Sequence, residues 1–173
     1  MKSLYVLRHG KSDWGTSARS DFERPLAARG VASAGLVGRF LASIGEVPSI
    51  VVASAAVRAA ETARIAIAEG GWSTDLVHEP DLYGASAEQM LRAARSAPAS
   101  AERVLVVAHE PGCSELVGRM VGGCALRYPT AALARIDCAA EAPCELAFGA
   151  GTLEWLVLPR ALAAFEASAR GTA

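Results

Sequence analysis

The chain has 173 residues, of which 52% are hydrophobic and 20% charged, as is usual for one globular domain. The formal net charge is -1, so no overall field attracts nucleic acid or an anionic membrane, and we expect neither as a partner. The longest stretch without Asp, Glu, Lys or Arg is Val47–Val57, which is too short to cross a bilayer. Arg8 ends the apolar N-terminal run, so no signal peptide is indicated, and we expect a single cytoplasmic domain over residues 1–173.

Short apolar runs alternate with segments of helical periodicity along the chain. In chain order, we predict a strand at Leu4–Leu7, a helix through Val37–Ile44, a strand at Ile50–Ala53, a helix at Ala56–Glu69, a strand at Leu76–Val77, a helix at Glu88–Arg95, a strand at Val104–Ala108, a helix from about Pro111, a strand at Leu133–Asp137, a hairpin in 144–159 and a helix at Ala161–Arg170. Strands without polar alternation that are separated by helices predict an α/β fold, here a three-layer α/β/α sandwich with a mostly parallel central sheet.

The chain has four cysteines, namely Cys113, Cys124, Cys138 and Cys144. None forms a C-x-x-C pair, and no histidine follows them at zinc-finger spacing. We therefore expect small buried apolar residues rather than a disulfide or a metal site.

Two of the three histidines follow predicted strands at the point where the strand ends. His9 comes after LYVLR, and His109 comes directly after VLVVA. Ligands of open α/β sheets bind outside the carboxyl ends of the strands, so parallel neighbouring strands would turn both imidazoles toward one crevice. Arg8 ends a buried strand and therefore needs an anionic partner.

A second arginine belongs to the same predicted edge. Arg58 lies five residues past the second strand, near the start of the next helix, and would project over this edge. The alternative is a solvated helical arginine paired with Glu61 or Glu102. Two guanidiniums, two imidazoles and the helix start after His109 suit a phosphoryl group, because arginine gives bidentate donation and a helix N-terminus adds amides. Gly10 would let the backbone come close to such a ligand.

Four segments, in this order, resemble motifs of the histidine phosphatase superfamily. Arg8-His9-Gly10 after the first strand resembles the RHG signature, and Asp21–Gly30 is similar to the segment that opens the first helix in the SixA-like phosphohistidine phosphatase branch. Ser54–Thr62 resembles the motif S-P-x-x-R-A-x-x-T, with Ala55 where proline is usual, and Val106–Gly112 resembles the second-histidine motif. The resemblance covers residues 4 to about 120, and the last third of the chain contributes no motif.

The resemblance implies a catalytic role for each matching position. His9 would be the nucleophile that becomes transiently phosphorylated. Arg8, Arg58 and His109 would bind the phosphoryl oxygens and neutralise charge during transfer. Asp81, in the loop after the third strand, would protonate the leaving group. No cofactor and no metal is implied, because guanidiniums supply the positive charge that phosphoryl transfer needs.

Other positions near the motifs leave alternatives open. Glu79 could replace Asp81 as the acid, solvent could supply the proton, or both residues could be solvated loop carboxylates. Lys11 and Ser12 follow Gly10 after the signature histidine. With Gly10 they either contact phosphate or shape the loop.

The expected activity is metal-independent dephosphorylation of phosphohistidine on a signalling or phosphotransfer protein, for example a histidine phosphotransfer domain. A chain of this length has little to spare for a cap, and an open site fits a phosphorylated protein side chain. The alternatives are a phosphatase of small phosphoesters, a phosphate-binding adaptor without turnover, and a metallohydrolase that uses His9, Asp13 and His109. The metallohydrolase lacks the dense pattern of histidines and carboxylates that such sites have.

Overall fold

The structure, a computed structural model, describes residues 1–15 and 18–171. Strands and helices alternate along these residues. In chain order they are β1 (Lys2–Arg8), α1 (Ala28–Ser43), β2 (Ile50–Ser54), α2 (Val57–Gly70), β3 (Asp75–Glu79), α3 (Ala87–Arg95), β4 (Arg103–Ala108), α4 (Gly112–Met120), β5 (Leu133–Cys138), β6 (Gly151–Val157) and α5 (Pro159–Gly171). No helix in this part of the chain is long and apolar enough to cross a membrane.

The strands form one sheet in the order β3-β2-β4-β1-β5-β6. The first four strands are parallel, and β5 and β6 run antiparallel to their neighbours. The predicted α/β fold with a mostly parallel sheet is therefore confirmed. The apolar runs of β1, β2 and β4 required it, because such strands are buried on both faces.

Two apolar clusters lie on opposite faces of the sheet. Leu4 and Val6 of β1 pack in the cluster that contains residues of α3 and α4, whereas Tyr5 and Leu7 pack in the cluster that contains residues of α1, α2 and α5. Alternate residues of one strand thus reach opposite faces, which makes three layers.

Two expectations for the last third of the chain are wrong. Residues Pro143–Glu145 form a 3-10 turn and Gly149 has a φ of 74°, so no first arm of a hairpin extends; β6 pairs instead with β5. Cys113 and Cys138 are buried as expected, but Cys124 and Cys144 are exposed. The exposed pair lies outside the helices and strands that form the core, in the segments after α4 and β5.

The topology places the ends of three strands at one edge of the sheet. β4 lies between β1 and β2, and Arg8 at the end of β1 is level with Ala108 at the end of β4. The residues that follow β1, β2 and β4 therefore emerge side by side, and they include His9 and His109.

Candidate active site

The two imidazoles that follow β1 and β4 lie next to each other. The ring centroids of His9 and His109 are 4.9 Å apart, and each residue is only 7% exposed. Arg58, in the first turn of α2, is also buried and donates its Nε–H to Nε2 of His9 over 3.3 Å. The structure thus brings together side chains from three strand ends that the sequence analysis assigned to one site.

His9 is a neutral imidazole with one nitrogen free of protons. Its Nδ1 lies 2.7 Å from the carbonyl oxygen of Gly10, which can only accept, so Nδ1 carries the proton and Nε2 carries a lone pair. Burial lowers the pKa of His9 from 6.5 to about 3, and the cationic neighbours Arg58 and Arg8 act in the same direction. At neutral pH the Nε2 atom is therefore a nucleophile.

Gly10 packs closely against the start of α1. A Cβ atom on Gly10 would lie 2.8 Å from the carbonyl oxygen of Gly30 in α1, which is closer than a real contact allows. The Gly10 N–H donates to Oγ1 of Thr62 in α2 over 2.9 Å. These contacts fix the signature loop between two helices, and the close approach of a ligand to Gly10 stays a prediction.

The two residues after Gly10 act in the same way. The carbonyl oxygen of Lys11 accepts the Ala27 N–H over 2.8 Å, and Ser12 is buried in an isolated bridge with Leu26. The side chains of Lys11 and Ser12 have no hydrogen bond or ion pair to another described residue. The main-chain contacts of both residues shape the loop, and contact of their side chains with phosphate stays a prediction.

Two buried donors beside the imidazoles lack partners. Arg8 donates from one terminal nitrogen to the carbonyl oxygen of Tyr128 over 2.8 Å, but its Nε atom has no hydrogen-bond partner among the described residues. Nδ1 of His109 is likewise buried without a partner. Because buried polar groups are nearly always hydrogen-bonded, we expect a ligand oxygen to bind at these two atoms, which, unlike the partnerless nitrogens of Arg24 and Trp72, belong to the group around His9.

Ser54, at the end of β2, orients His109. Its Oγ lies 2.9 Å from Nε2 of His109 and accepts the Ala56 N–H over 3.3 Å. Ser54 is completely buried, and among the described residues its Oγ has hydrogen bonds with the Ala56 N–H, which can only donate, and with Nε2 of His109. The hydroxyl therefore donates to Nε2, which leaves the proton of the neutral ring on Nδ1. Burial lowers the pKa of His109 from 6.5 to about 4, so the ring is neutral at pH 7.

Asp21 supplies the carboxylate that the sequence analysis did not assign. Arg58 donates to the Asp21 main-chain carbonyl over 2.6 Å and to its Oδ2 over 2.9 Å, and the Tyr83 hydroxyl donates to the same Oδ2 over 2.8 Å. The hydrogen bond from Tyr83 holds the pKa of the Asp21 carboxyl below its usual value, and Arg58 acts in the same direction. Asp21 is therefore an ionised acceptor.

Tyr83 and Phe22 enclose this group from the outside. The Tyr83 ring packs edge-on against His109, with centroids 5.6 Å apart, and against Phe22, with centroids 5.2 Å apart. Asp21 opens the segment Asp21–Gly30 and could have been noticed there, as Ser54 could at the start of its motif. No local signal in the sequence points to Tyr83.

The structure does not join Asp81 to this group. Asp81 is exposed in the 3-10 turn Pro80–Leu82, and its N–H donates to Oε1 of Glu79 over 3.1 Å. Within the described residues the Asp81 carboxylate has no hydrogen bond or ion pair. The turn directs Leu82 into the core and Tyr83 toward the imidazoles, which leaves Asp81 in solvent.

The start of α4 is already capped. The Ser114 N–H donates to Oε2 of Glu110 over 2.9 Å, and the Cys113 N–H donates to the carbonyl oxygen of His109 over 3.0 Å. The expectation that these helix amides bind a phosphoryl group is wrong for both, because the Glu110 carboxylate takes the place of an anion at the helix N-terminus.

A metal site at the same place finds no support in the side chains. Asp13 accepts the Gly15 N–H over 2.8 Å, and among the described residues it has no hydrogen bond or ion pair with His9 or His109. Among the described residues, no three His, Cys, Asp or Glu side chains are grouped as metal ligands.

Comparison with known proteins agrees with this arrangement. The model of the histidine phosphatase superfamily (branch 1) matches residues 4–91, about half of the chain, which includes His9 and Arg58. The chain belongs to the histidine phosphatase superfamily. Among solved structures, a candidate phosphohistidine phosphatase SixA from Nakamurella multipartitia is 27% identical with a TM-score of 0.76, covering 91% of this chain and 96% of that one. Within the superfamily the protein is SixA-like.

Other known proteins share the fold or part of the sequence. The protein histidine phosphatase SixA, solved with tungstate, shares the fold at 21% identity and a TM-score of 0.79, covering 92% of this chain and 99% of that one. An uncharacterized protein of Mycobacterium tuberculosis is 33% identical over 110 residues, 64% of this chain and 66% of that protein. An uncharacterized chloroplastic protein of Arabidopsis thaliana is 38% identical over 61 residues, 35% of this chain and 28% of that protein. The matches thus span less than two thirds of the length of these curated relatives.

Proposed function

We propose that this protein hydrolyses phosphohistidine on another protein, and that His9 accepts the phosphoryl group. One observation carries the proposal. A neutral His9 presents the lone pair of Nε2 beside Arg58, in a crevice where Arg8 Nε and His109 Nδ1 have no partner. A nucleophile surrounded by unpaired donors fits an anionic electrophile that carries several oxygens.

In the first step, Nε2 of His9 forms a bond to phosphorus while the bond from phosphorus to the substrate imidazole breaks. In the free protein the Nε–H of Arg58 donates a hydrogen bond to Nε2 of His9. When the phosphoryl group arrives, the same N–H donates to a phosphoryl oxygen instead. Arg8 Nε and His109 Nδ1 donate to the remaining oxygens. The nitrogen of the substrate ring that is not bonded to phosphorus takes a proton from water before the P–N bond breaks, since the unperturbed pKa of an imidazole is about 6.5, and the ring leaves as neutral imidazole.

In the second step, water attacks the phosphorus of phosphorylated His9 in line with the P–N bond. That bond breaks, inorganic phosphate leaves, and the electron pair returns to Nε2. The Gly10 carbonyl keeps the proton on Nδ1 in both steps, so the ring is ready for the next cycle. All the positive charge in this scheme comes from arginine, and no metal ion takes part.

Short connections around the crevice support a protein substrate. Two residues separate β2 from α2, and three separate β4 from α4. These two connections add no chain that encloses the site. Of the described residues in the longer connections after β1 and β3, Phe22 and Tyr83 enclose it, and they are 36% and 41% exposed, so the side chain of a folded partner can enter from solvent. The SixA-like relative with 27% identity is a candidate phosphohistidine phosphatase, which favours the same substrate class.

The test compares kcat/KM for a histidine-phosphorylated phosphotransfer domain with kcat/KM for an alkyl phosphate, each with and without EDTA. We expect at least about tenfold preference for phosphohistidine, because no general acid is positioned for a poor leaving group, and such an acid contributes about 10²–10⁴-fold. His9→Ala abolishes turnover, and His78→Ala, at the exposed third histidine, does not.

Each alternative predicts another result. Brisk alkyl phosphate hydrolysis indicates a phosphatase of small phosphoesters, and binding of the phosphorylated domain without turnover indicates an adaptor. Loss of activity in EDTA with recovery in Zn²⁺ or Mn²⁺ indicates a metallohydrolase.

A further inference from the structure

A groove of about 390 Å³ lies between the start of α1, the start of α5 and the loop before β5. Three arginines line it, one from each of these segments: Arg29, Arg127 and Arg160. We call it the arginine groove. Leu36 and Leu158 are among its apolar lining, and none of the described residues that line it is acidic.

The three arginines are exposed and unpaired. In the part of the chain that the structure describes, none of their side chains has a hydrogen bond or an ion pair. Elsewhere on the surface, Arg39 is held by Glu69 and Glu166.

Stability of the helices does not account for these charges. Arg29 and Arg160 each lie in the first turn of a helix, where a positive charge opposes the helix dipole, and neither first turn contains an acidic residue. Repulsion among three unpaired cations also costs free energy, so a role outside the fold explains them better than a role within it.

The walls of the groove touch the loop that carries His9. The Ala131 N–H, four residues after Arg127, donates to the carbonyl oxygens of Arg8 and His9 over 3.0 and 3.1 Å. On the other wall, Gly30 packs against the backbone of Gly10 and Lys11. A segment bound in the groove therefore lies next to the catalytic edge of the sheet.

We propose that the arginine groove docks an acidic segment of the phosphorylated protein substrate, beside the histidine that the enzyme dephosphorylates. This inference rests on the proposed function. Arginines next to apolar aliphatic side chains fit a peptide that carries both carboxylates and leucine-like residues. Nucleic acid fits less well, because no aromatic ring for base stacking lines the groove among the described residues. Complementary charge at this place raises the rate of productive encounter and selects the partner.

The test uses three substrates: two phosphohistidine peptides of equal length, flanked by either Glu and Leu or Lys and Leu, and phosphoimidazole, which has no flanks. For the wild type at low salt we expect kcat/KM to be at least about tenfold higher for the Glu peptide than for the Lys peptide, through KM, as charge steering changes association by about 10-fold or more. The triple variant Arg29→Glu, Arg127→Glu, Arg160→Glu loses or inverts this preference. Its kcat/KM for phosphoimidazole stays within about twofold of wild type, because the three side chains are exposed and outside the catalytic group.

Arg92→Glu is the matched control, since Arg92 is exposed on α3, which packs on the opposite face of the sheet. It keeps the wild-type preference. Thermal unfolding of each variant verifies the fold. An unchanged preference in the triple variant, or a wild-type preference for the Lys peptide, overturns the docking surface.

Binding measured separately distinguishes this inference from the proposed function. Fluorescence anisotropy of the unphosphorylated Glu and Lys peptides reports the groove without turnover. Tighter binding of the Glu peptide, reversed in the triple variant, supports docking in the arginine groove. If no phosphohistidine substrate is hydrolysed in that case, the proposed function alone is wrong. If phosphoimidazole is hydrolysed but neither peptide binds with a charge preference, the docking surface alone is wrong.

Discussion

Asp21 orients Arg58 through two hydrogen bonds, one to its main-chain carbonyl over 2.6 Å and one to its carboxylate over 2.9 Å. The third guanidinium donor, Nε–H, is thereby left facing Nε2 of His9. Arg58 is thus in position before a phosphoryl group arrives, and little reorganisation is needed at the moment of transfer. We therefore expect Asp21 to act as a positioning residue rather than as an acid.

Removing this carboxylate tests that role. Asp21→Ala should lower kcat on phosphohistidine by about tenfold to 10²-fold, because a misplaced charge stabiliser costs up to about that factor. Asp81→Asn is the matched control and should lower kcat by less than about twofold, since an exposed carboxylate without a site contact carries no such role. Circular dichroism checks folding. A larger loss in Asp81→Asn than in Asp21→Ala would return the role of general acid to Asp81.

The phosphoryl-binding group can be tested one side chain at a time. Arg58→Ala and His109→Ala should each reduce kcat by about 10²-fold or more, as loss of a transition-state donor does. Arg64→Ala, at an exposed arginine of the same helix as Arg58, should leave kcat nearly unchanged. Near-wild-type kcat in either site variant would show that the side chains from the three strand ends do not act as one site.

The covalent intermediate should be trapped on His9. Rapid acid-free quenching with labelled phosphohistidine substrate should give a phosphoprotein that is stable in alkali and labile in acid, because the linkage is P–N. His78→Ala keeps the label and His9→Ala loses it. Label on a serine, or label that persists in His9→Ala, contradicts the proposed nucleophile.

Ser54 should determine which nitrogen of His109 carries the proton. Nitrogen-15 chemical shifts of the imidazole are expected to report Nδ1–H in the wild type and a mixture of tautomers in Ser54→Ala, because the hydroxyl that donates to Nε2 is gone. The kcat should fall several-fold with little change in KM, as expected when a positioned donor is lost only part of the time. An Nδ1–H tautomer that survives in Ser54→Ala would contradict the assignment.

The buried histidines should make stability depend on pH. The folded pKa values of His9 and His109 are lowered to about 3 and about 4, against about 6.5 in the unfolded chain. As pH falls from about 6.5 to about 4, the unfolded chain binds protons that the folded chain does not, so the free energy of unfolding decreases. His9→Gln should flatten this slope by up to about 1.4 kcal/mol per pH unit.

Urea unfolding between pH 4.5 and 7 measures the slope. His78→Gln, at an exposed position, is the control and should leave it as in the wild type. An unchanged slope in His9→Gln would mean that His9 accepts a proton in the folded protein at mildly acidic pH.

The sheet could be predicted because β1, β2 and β4 are short apolar runs whose burial on both faces permits few arrangements. Their parallel neighbours then place Arg8, His9 and His109 at one edge. The pairing of β6 with β5 could not be predicted. The sequence of β6 is an apolar run that follows Gly149, and its partner depends on which edge of the folded sheet is free. The local sequence does not contain that information.

Local patterns by themselves predicted that Arg8, His9, Arg58 and His109 meet at one edge of the sheet, since each ends or follows a strand or opens a helix. Only the tertiary structure decided which carboxylate joins them. Asp21 and Arg58 are 37 residues apart, and Tyr83 and Asp21 are 62 apart, so their contacts exist only after the loops fold onto the sheet edge. Only the tertiary structure shows that a side chain at position 10 would clash with the backbone of Gly30, and that Asp81 is exposed to solvent. A side chain's partner in a loop is set by long-range packing, whereas a buried strand is set by its own apolar residues.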